Sequence, residues 1–397
     1  MSSIPTYIRQ YLWLSYISQA FTFAVPLLAA ILSSRDSLDE STVSLLLVGI
    51  FTLSGIFQII VGKFFDKGKY ILSLSVSFVS VLVGLLIYIF CFDRLILFVL
   101  GSSILIFGVG IIGASIIRSI EGSVGEELRA RVTNSRYMVS NLGFCTAAIL
   151  GFFFLDRYRT LLLIGDLITT LSVIVFLFFI FSKLMKEQKM KISTSGGLMS
   201  EKFFSILRSK WKIFLGMQLI QIEVFAHTEV QPVLYARLGL EPVKWTTYLL
   251  FFNTITAIAT IGYINRLSKK CELRQLALWG TLFYSLGHVC IPYFISPLGI
   301  AVTTMISVIG EVLWVAPITI VLFRQFSEHN RGMASGLRSS MRSFSFVCNP
   351  ILGYLLFTMI PDVKLGFSLI YGLIPLLGFY LIFGSELSSK KSDMSPT

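Results

Sequence analysis

Long apolar segments separated by short polar stretches account for most of the chain. Each holds about 20 hydrophobic residues, the length that an α-helix needs to cross the roughly 30 Å hydrocarbon core of a bilayer. The pattern predicts twelve spans, at 10–33, 42–65, 70–92, 96–117, 137–155, 159–182, 212–235, 243–265, 275–295, 298–323, 337–358 and 365–384. We therefore expect an all-α, polytopic membrane protein with twelve transmembrane helices in two pseudo-symmetric six-helix bundles.

A polar and basic stretch containing Gly196-Gly197 and several serines lies between the sixth and seventh predicted spans. It is the longest such stretch between spans, which is typical of a linker between two halves. The predicted organisation is an N-terminal six-helix bundle at 1–182, a cytoplasmic linker at 183–210, a C-terminal six-helix bundle at 211–386 and a cytoplasmic tail at 387–397.

The two halves also resemble each other in sequence. The stretch that begins at Arg129 aligns without a gap with the one that begins at Arg331, at an offset of 202 residues (331 − 129 = 202). A second pair begins at Gly62 and Gly262, at an offset of 200 residues (262 − 62 = 200). Parallel repeats of a six-helix unit are typical of alternating-access transporters, which hold their substrate near the bilayer midplane.

Composition and charge exclude a soluble protein and set the topology. Hydrophobic residues make up 55% of the chain and charged residues 14%. Of the 33 Lys and Arg residues, 7 lie near the odd-numbered loops and the other 26 (33 − 7 = 26) lie at the termini and the even-numbered loops. By the positive-inside rule both termini are cytoplasmic, and we expect the bacterial inner (plasma) membrane. The net charge of +12 therefore reflects topology, and no nucleic-acid partner is predicted.

The N-terminal sequence and the cysteines supply no candidate functional site. The first residues run into a full-length span, so the first helix is expected to act as the insertion signal. The five cysteines show no paired spacing, so neither a disulfide framework nor a thiolate metal site is predicted. We expect no metal and no cofactor.

The loop between the second and third predicted spans carries a recognisable motif. Gly62 and Asp66 have the spacing of the G-x-x-x-D-x-x-G-R-K signature, although the next glycine, Gly68, comes one residue early and no arginine follows. Further matches are Asn141-Leu142-Gly143, the stretch around Asp166, and Gly310, Glu311 and Pro317 on the tenth span. These features resemble the major facilitator superfamily, and more narrowly its twelve-helix drug/proton antiporters.

The resemblance implies a cytoplasmic gate at this loop. In that family the aspartate latches the two halves on the cytoplasmic side, so the resemblance assigns this role to Asp66. The missing arginine implies that the charge network of Gly62, Asp66, Lys67 and Lys69 is rearranged. Glu121 is expected either to pair with Lys67 or Lys69 or to sit at a solvated helix end.

Acidic side chains within the spans are the main candidates for chemistry. A charged side chain in the middle of a bilayer costs about 3 kcal/mol on insertion scales, and such residues are usually functional. Glu311 lies near the middle of the tenth span, and competition between a proton and a cationic substrate for its carboxyl would produce antiport. The alternative is that Glu311 is permanently hydrogen-bonded to a neighbouring helix.

The seventh span carries Glu223, His227 and Glu229. Glu223 and His227 are four residues apart and share a helix face, whereas Glu229 lies about 160° around from His227. Burial raises the pKa of carboxyls in general and histidine titrates near neutrality, so the span is predicted to carry a proton-responsive pair. Asp166, near the outer end of the sixth span, either joins this chemistry or ties its helix to a neighbour.

Neutral polar residues supply candidates for the substrate pathway. Tyr16 and Gln19 lie on the first span and Asn253 on the eighth. They either line the pathway or hydrogen-bond to one another within the bundles.

The prediction is a proton-coupled secondary active transporter, an antiporter that exports an amphipathic or cationic small molecule. Its expected partners are that substrate, protons and the lipid bilayer, and it is expected to be monomeric. Export of a sugar, a siderophore or a lipid-linked compound is the alternative. A membrane-embedded enzyme is disfavoured, because His227, His288 and His329 are scattered and no H-E-x-x-H or G-x-S-x-G pattern is present.

Overall fold

The computed structural model describes residues 6–22, 25–35, 37–66, 69–116, 126–186, 201–267, 270–326 and 331–392. These residues form helices and contain no strand. The helices are α1 (Thr6–Phe21), α2 (Leu28–Ser33), α3 (Glu40–Asp66), α4 (Tyr70–Cys91), α5 (Leu95–Ile116), α6 (Glu126–Lys186), α7 (Glu201–Ser209), α8 (Trp211–Glu229), α9 (Gln231–Arg237), α10 (Pro242–Leu267), α11 (Leu273–Cys290), α12 (Pro297–Arg324), α13 (Arg331–Met359) and α14 (Val363–Ser392).

The predicted all-α membrane fold is confirmed. Seven segments within the described residues are long and apolar enough to cross a membrane: Ile71–Cys91, Leu95–Ile112, Ser135–Phe154, Arg157–Phe179, Pro242–Ile264, Pro297–Trp314 and Val363–Gly384. The fifth and sixth predicted spans both lie in α6, whose backbone leaves the helical conformation at Tyr158 (φ −126°, ψ 27°). That residue falls in the gap between the predicted end at 155 and the predicted start at 159.

Two predicted spans are interrupted in the structure. The first, 10–33, is divided into α1 and α2, and the seventh, 212–235, into α8 and α9. Pro232 stands in the first turn of α9, where the missing N–H of proline leaves no hydrogen bond unmade. The predicted linker at 183–210 also contains structure, because α6 continues to Lys186 and α7 occupies Glu201–Ser209.

The described helices group into two compact units. The first unit comprises Met1–Leu38, Leu45–Gly196 and Pro242–Leu250, and the second comprises Asp39–Ser44, Gly197–Glu241 and Phe251–Thr397. The predicted boundaries at 182 and 210 stay a prediction. Most of α3 belongs to the first unit and most of α10 to the second.

The internal repeat extends to the way in which helices pack within each unit. Gly84 and Gly108 lie where α4 meets α5, and Gly287 and Gly310 hold the equivalent places between α11 and α12 (287 − 84 = 203; 310 − 108 = 202). A Cβ added to Gly84 would lie 2.9 Å from the backbone nitrogen of Leu105, and one added to Gly310 would lie 2.5 Å from that of Tyr284. In both units, therefore, two helix backbones approach too closely for any larger residue.

Loops at one end of the first unit are joined by arginine contacts. Arg159 Nη1 and Nη2 donate to the two carboxylate oxygens of Asp93 at 2.8 and 3.0 Å. Arg35 Nη2 donates to the carbonyl oxygen of Phe92 at 2.6 Å, and its guanidinium lies 4.7 Å from the ring centre of Phe98. These contacts connect the end of α2, the α4–α5 loop and the second half of α6.

Candidate functional site

A carboxyl–imidazole pair lies inside the second unit. Nδ1 of His288 on α11 is 3.0 Å from Oε1 of Glu223 on α8, and both side chains are fully buried. The same nitrogen lies 3.0 Å from the backbone oxygen of Tyr284. The hydrogen-bond geometry favours this backbone oxygen, so the contact with Glu223 is an ion-pair contact that leaves both carboxyl oxygens without a hydrogen bond. The pair is thus a close contact between two ionisable groups that are both shielded from solvent.

His227 extends this pair. Its ring stacks on that of His288, with 5.2 Å between ring centres and 24° between ring planes. Its Nδ1 lies 3.2 Å from Oε1 of Gln231, the first residue of α9. Glu223 and His227 are four residues apart on α8, and both contact His288.

Glu311 approaches the same group from α12. Its side chain is 6% exposed, and it lies within electrostatic range of His288. The ring centre of Tyr371, on α14, is 6.3 Å from that of His288. We call Glu223, His227, His288 and Glu311 the buried ionisable cluster. Its members come from three helices, and all of them belong to the second unit.

Glu229 faces a different helix. It is 2% exposed, and neither carboxyl oxygen makes a hydrogen bond. The amide of Asn349, on α13, lies beside it, although Asn349 Nδ2 donates to the backbone oxygen of Ile222 at 2.7 Å. Asn349 Oδ1 accepts from the hydroxyl of Tyr371 at 3.2 Å. Glu223 therefore faces α11, whereas Glu229 faces α13.

Asp166 lies in the first unit, where it connects two parts of the chain. Its Oδ1 accepts hydrogen bonds from the hydroxyls of Thr22, at 2.9 Å, and Thr170, at 2.8 Å. The side chain is 1% exposed. The residue just after α1 is thereby tied to the second half of α6, which is the structural role that the sequence left open for Asp166.

The pathway candidates lie on separate helices. Tyr16 Oη is 3.4 Å from the Thr146 hydroxyl, and Gln19 packs against Gly143, where an added Cβ would lie 2.6 Å from the Gln19 Cβ. Both belong to the contact between α1 and α6. Asn253 is 7% exposed on α10 and belongs to the second unit.

The predicted cytoplasmic gate falls largely outside the described residues. Gly62 and Asp66 lie in the last turns of α3, but their side chains are not described, and Lys67 and Glu121 are not described at all. Lys69 is exposed and directly precedes α4. The gate stays a prediction.

Sequence reasoning missed the central residue of the cluster. The three histidines were interpreted as scattered, whereas the structure stacks His288 on His227 and pairs it with Glu223. The available signal was the presence of an ionisable residue on a second predicted span. Within the described residues, no group of three or more His, Cys, Asp and Glu side chains is arranged to hold a metal ion.

Comparisons with known proteins identify relatives of this fold. The sequence model of the Major Facilitator Superfamily matches residues 12–264. No curated protein matches the sequence. Among solved structures, a peptide transporter POT in complex with sulfate is similar with a TM-score of 0.71 and 14% identity, covering 97% of this chain and 95% of that one.

Two other solved transporters have similar folds. The human organic anion transporter MFSD10 (TETRAN) gives a TM-score of 0.68 at 14% identity, covering 96% of this chain and all of that chain. The nucleoside transporter NupG gives a TM-score of 0.66 at 11% identity, covering 97% of this chain and 100% of that one. At these identities the likeness concerns the fold.

Proposed function

The chain belongs to the Major Facilitator Superfamily, and on that premise we propose that it is a proton-coupled antiporter that exports an amphipathic or cationic small molecule by alternating access. The protein is a multi-pass integral membrane transporter and not an enzyme. The proposal concerns the coupling ion, the direction of transport and the class of substrate. The assignment to the drug/proton antiporters within the superfamily also belongs to this proposal.

The contact between Glu223 and His288 carries the proposal. Two ionisable side chains that are fully buried in membrane helices are costly to insert, and their retention is characteristic of proton and ion pathways. A carboxylate next to an imidazolium has no net charge. One proton more gives the pair a positive charge, and one proton fewer gives it a negative charge.

Proton number therefore controls what the cluster attracts. With a proton removed, the group of Glu223, His288 and Glu311 gains negative charge and favours a cationic substrate nearby. With a proton added, the same group disfavours it. Alternating access would let the cluster take its proton from one side of the membrane and its substrate from the other, which is antiport.

We also propose the setting in which this occurs. The excess of Lys and Arg on one side favours cytoplasmic termini, and the composition fits a bacterial inner membrane. We expect the transporter to act as a monomer, with Asp66 and its neighbours forming the cytoplasmic gate.

Reconstituted liposomes provide the test. Purified protein in vesicles with an acidic lumen should drive uptake of the cationic amphiphile rhodamine 6G, and a protonophore should abolish this uptake. Glu223→Gln and Glu311→Gln should lose gradient-driven uptake but keep exchange of unlabelled for labelled dye at equal pH. Glu241→Gln, at an exposed glutamate of the second unit, is the matched control and should behave as the wild type.

Two results would refute the proposal. One is dye uptake that ignores the pH gradient in the wild type. The other is full gradient-driven uptake by folded Glu223→Gln protein.

A further inference from the structure

Arg342 takes no part in the buried ionisable cluster. It lies on α13, 11 residues past the start of the helix (342 − 331 = 11). The structure places its guanidinium next to an aromatic ring of the same helix. Its guanidinium carbon is 5.9 Å from the ring centre of Phe346, which lies four residues further into the helix.

A second aromatic ring fixes the depth of the guanidinium. Its carbon lies 5.2 Å from the ring centre of Phe225 on α8, and the two phenylalanine rings are 4.3 Å apart. Phe225 is 14 residues past the start of α8 (225 − 211 = 14), and Phe346 is 15 past the start of α13 (346 − 331 = 15). At 1.5 Å per residue, Phe225 lies roughly 20 Å past the start of the seventh predicted span at 212 and Phe346 roughly 14 Å past the start of the eleventh at 337, so both lie within a bilayer of about 30 Å.

The side chain is nevertheless exposed at the surface of the second unit. A guanidinium keeps its charge at any physiological pH, so exposure to hydrocarbon at this depth would be strongly unfavourable. The exposed side of Arg342 must therefore face water or a polar ligand. In a transporter, water at this depth belongs to the substrate pathway.

The geometry also suits recognition of an anion. Stacking on aromatic rings engages the face of a guanidinium, whereas carboxylates and phosphates are bound through its N–H edge. The two rings, from α8 and α13, thus hold the guanidinium at one place. Arg342 is also within electrostatic range of the buried Glu229.

We propose that Arg342 is a substrate-binding residue that pairs with an anionic group, a carboxylate or a phosphate, on the transported molecule. The inference rests on the proposed export function and narrows its substrate class to an amphipathic molecule that carries such a group. Phe225 and Phe346 position the guanidinium, and they offer apolar surface to the rest of the ligand. Glu311 and its neighbours remain the coupling residues.

A pair of dyes with a common ring system tests this inference. Initial uptake rates of fluorescein, which is anionic, and rhodamine 6G, which is cationic, are measured in liposomes for the wild type, Arg342→Gln and Arg342→Lys. Arg342→Gln should lower fluorescein uptake at least tenfold and change rhodamine 6G uptake by less than twofold, and Arg342→Lys should give an intermediate rate. Arg274→Gln, at an exposed arginine of α11, is the matched control.

The outcomes separate this inference from the proposed function. Equal fluorescein uptake by wild type and folded Arg342→Gln overturns it, as does an equal loss of both dyes or a wild type that carries no fluorescein. Fluorescein uptake that requires Arg342 but ignores the pH gradient would support the anion site while refuting proton coupling. Gradient-driven rhodamine 6G uptake, together with fluorescein uptake that is unchanged in Arg342→Gln, would support proton coupling while refuting the anion site.

Discussion

His288 Nδ1 lies 3.0 Å from Glu223 Oε1, and neither side chain is exposed. Removing one member of such a pair leaves the other with an uncompensated charge or forces it to become neutral. We expect His288→Leu to lower the free energy of unfolding by about 3 to 5 kcal/mol. The double variant Glu223→Leu/His288→Leu should lose less than the two single variants together, as measured by thermal unfolding in detergent. Additive losses would show that the contact contributes no coupling energy.

Because α11 and α12 approach closely, even a glycine-to-alanine substitution between them should lower the free energy of unfolding. A Cβ at position 310 would lie 2.5 Å from the backbone nitrogen of Tyr284 and 2.7 Å from the backbone oxygen of Gly280. Gly310→Ala should destabilise the protein by about 1 to 3 kcal/mol, because backbone atoms must move apart. Gly262→Ala on α10 is the control, since nothing lies within 4 Å of its added Cβ, and it should be neutral or slightly stabilising. Equal thermal shifts for both variants would contradict the packing described.

The Arg159–Asp93 contact predicts a dependence of stability on acid. The hydrogen bonds from Arg159 hold the pKa of the Asp93 carboxyl below its ordinary value of 3.8. The pair therefore adds stability above that pKa, and the contribution is lost as the pH falls through the lowered pKa. Because the Asp93 side chain is 79% exposed, we expect less than about 1 kcal/mol. The difference in melting temperature between wild type and Asp93→Asn should thus be small at pH 7, begin to shrink as the pH falls below 3.8, and be lost only below the lowered pKa; a difference that grows in acid would contradict this account.

Variants of Asp166 can distinguish a structural role of this residue from a role in proton coupling. In Asp166→Asn the side-chain carbonyl can still accept from Thr22 and Thr170, so we expect uptake driven by a pH gradient to be retained. Asp166→Leu should instead destabilise the protein by about 1 to 3 kcal/mol, because it removes the acceptor of two hydroxyls. Transport assays and thermal unfolding of both variants check this. Loss of proton coupling in folded Asp166→Asn would place the residue in the coupling machinery.

Two native cysteines allow the topology to be measured. Cys91 ends α4 and Cys271 precedes α11, and both are half-buried free thiols. The distribution of basic residues puts Cys91 outside and Cys271 in the cytoplasm. In variants with a single cysteine, a membrane-impermeant maleimide should label Cys91 in intact cells and Cys271 only after permeabilisation. The opposite pattern would reverse the predicted orientation.

The helical segments could be located from sequence because the bilayer imposes a local requirement on length and polarity. The break at Tyr158 coincides with the polar gap between two predicted spans. The interruption at Val230 was missed, because 212–235 was interpreted as one continuous span although Glu229, Gln231 and Pro232 surround the break. The helix of Glu201–Ser209 was missed because its four apolar residues are far too few for a span and it lies within a polar, basic stretch of the chain.

The candidate site was only half predictable. Glu223 and His227 could be placed on one face because they share a helix, and helical periodicity is a local property. His288 is 65 residues from Glu223 (288 − 223 = 65), and their contact depends on how α8 and α11 are arranged within the unit. The same holds for Arg342, which lies within the eleventh predicted span but whose contact with Phe225 depends on how α8 and α13 pack.

The glycines between α11 and α12 restrict how the second unit can rearrange. At Gly280, Gly287 and Gly310, backbone atoms of the other helix lie only 2.5 to 3.1 Å from an added Cβ, so the two helices have little room to slide past each other. His288 lies on α11 and Glu311 on α12, so we expect the distance between them to stay nearly constant. The contacts of α8 with His288 are instead made by the side chains of Glu223 and His227. We therefore expect a spectroscopic distance measurement between α8 and α11 to change more during the transport cycle than one between α11 and α12.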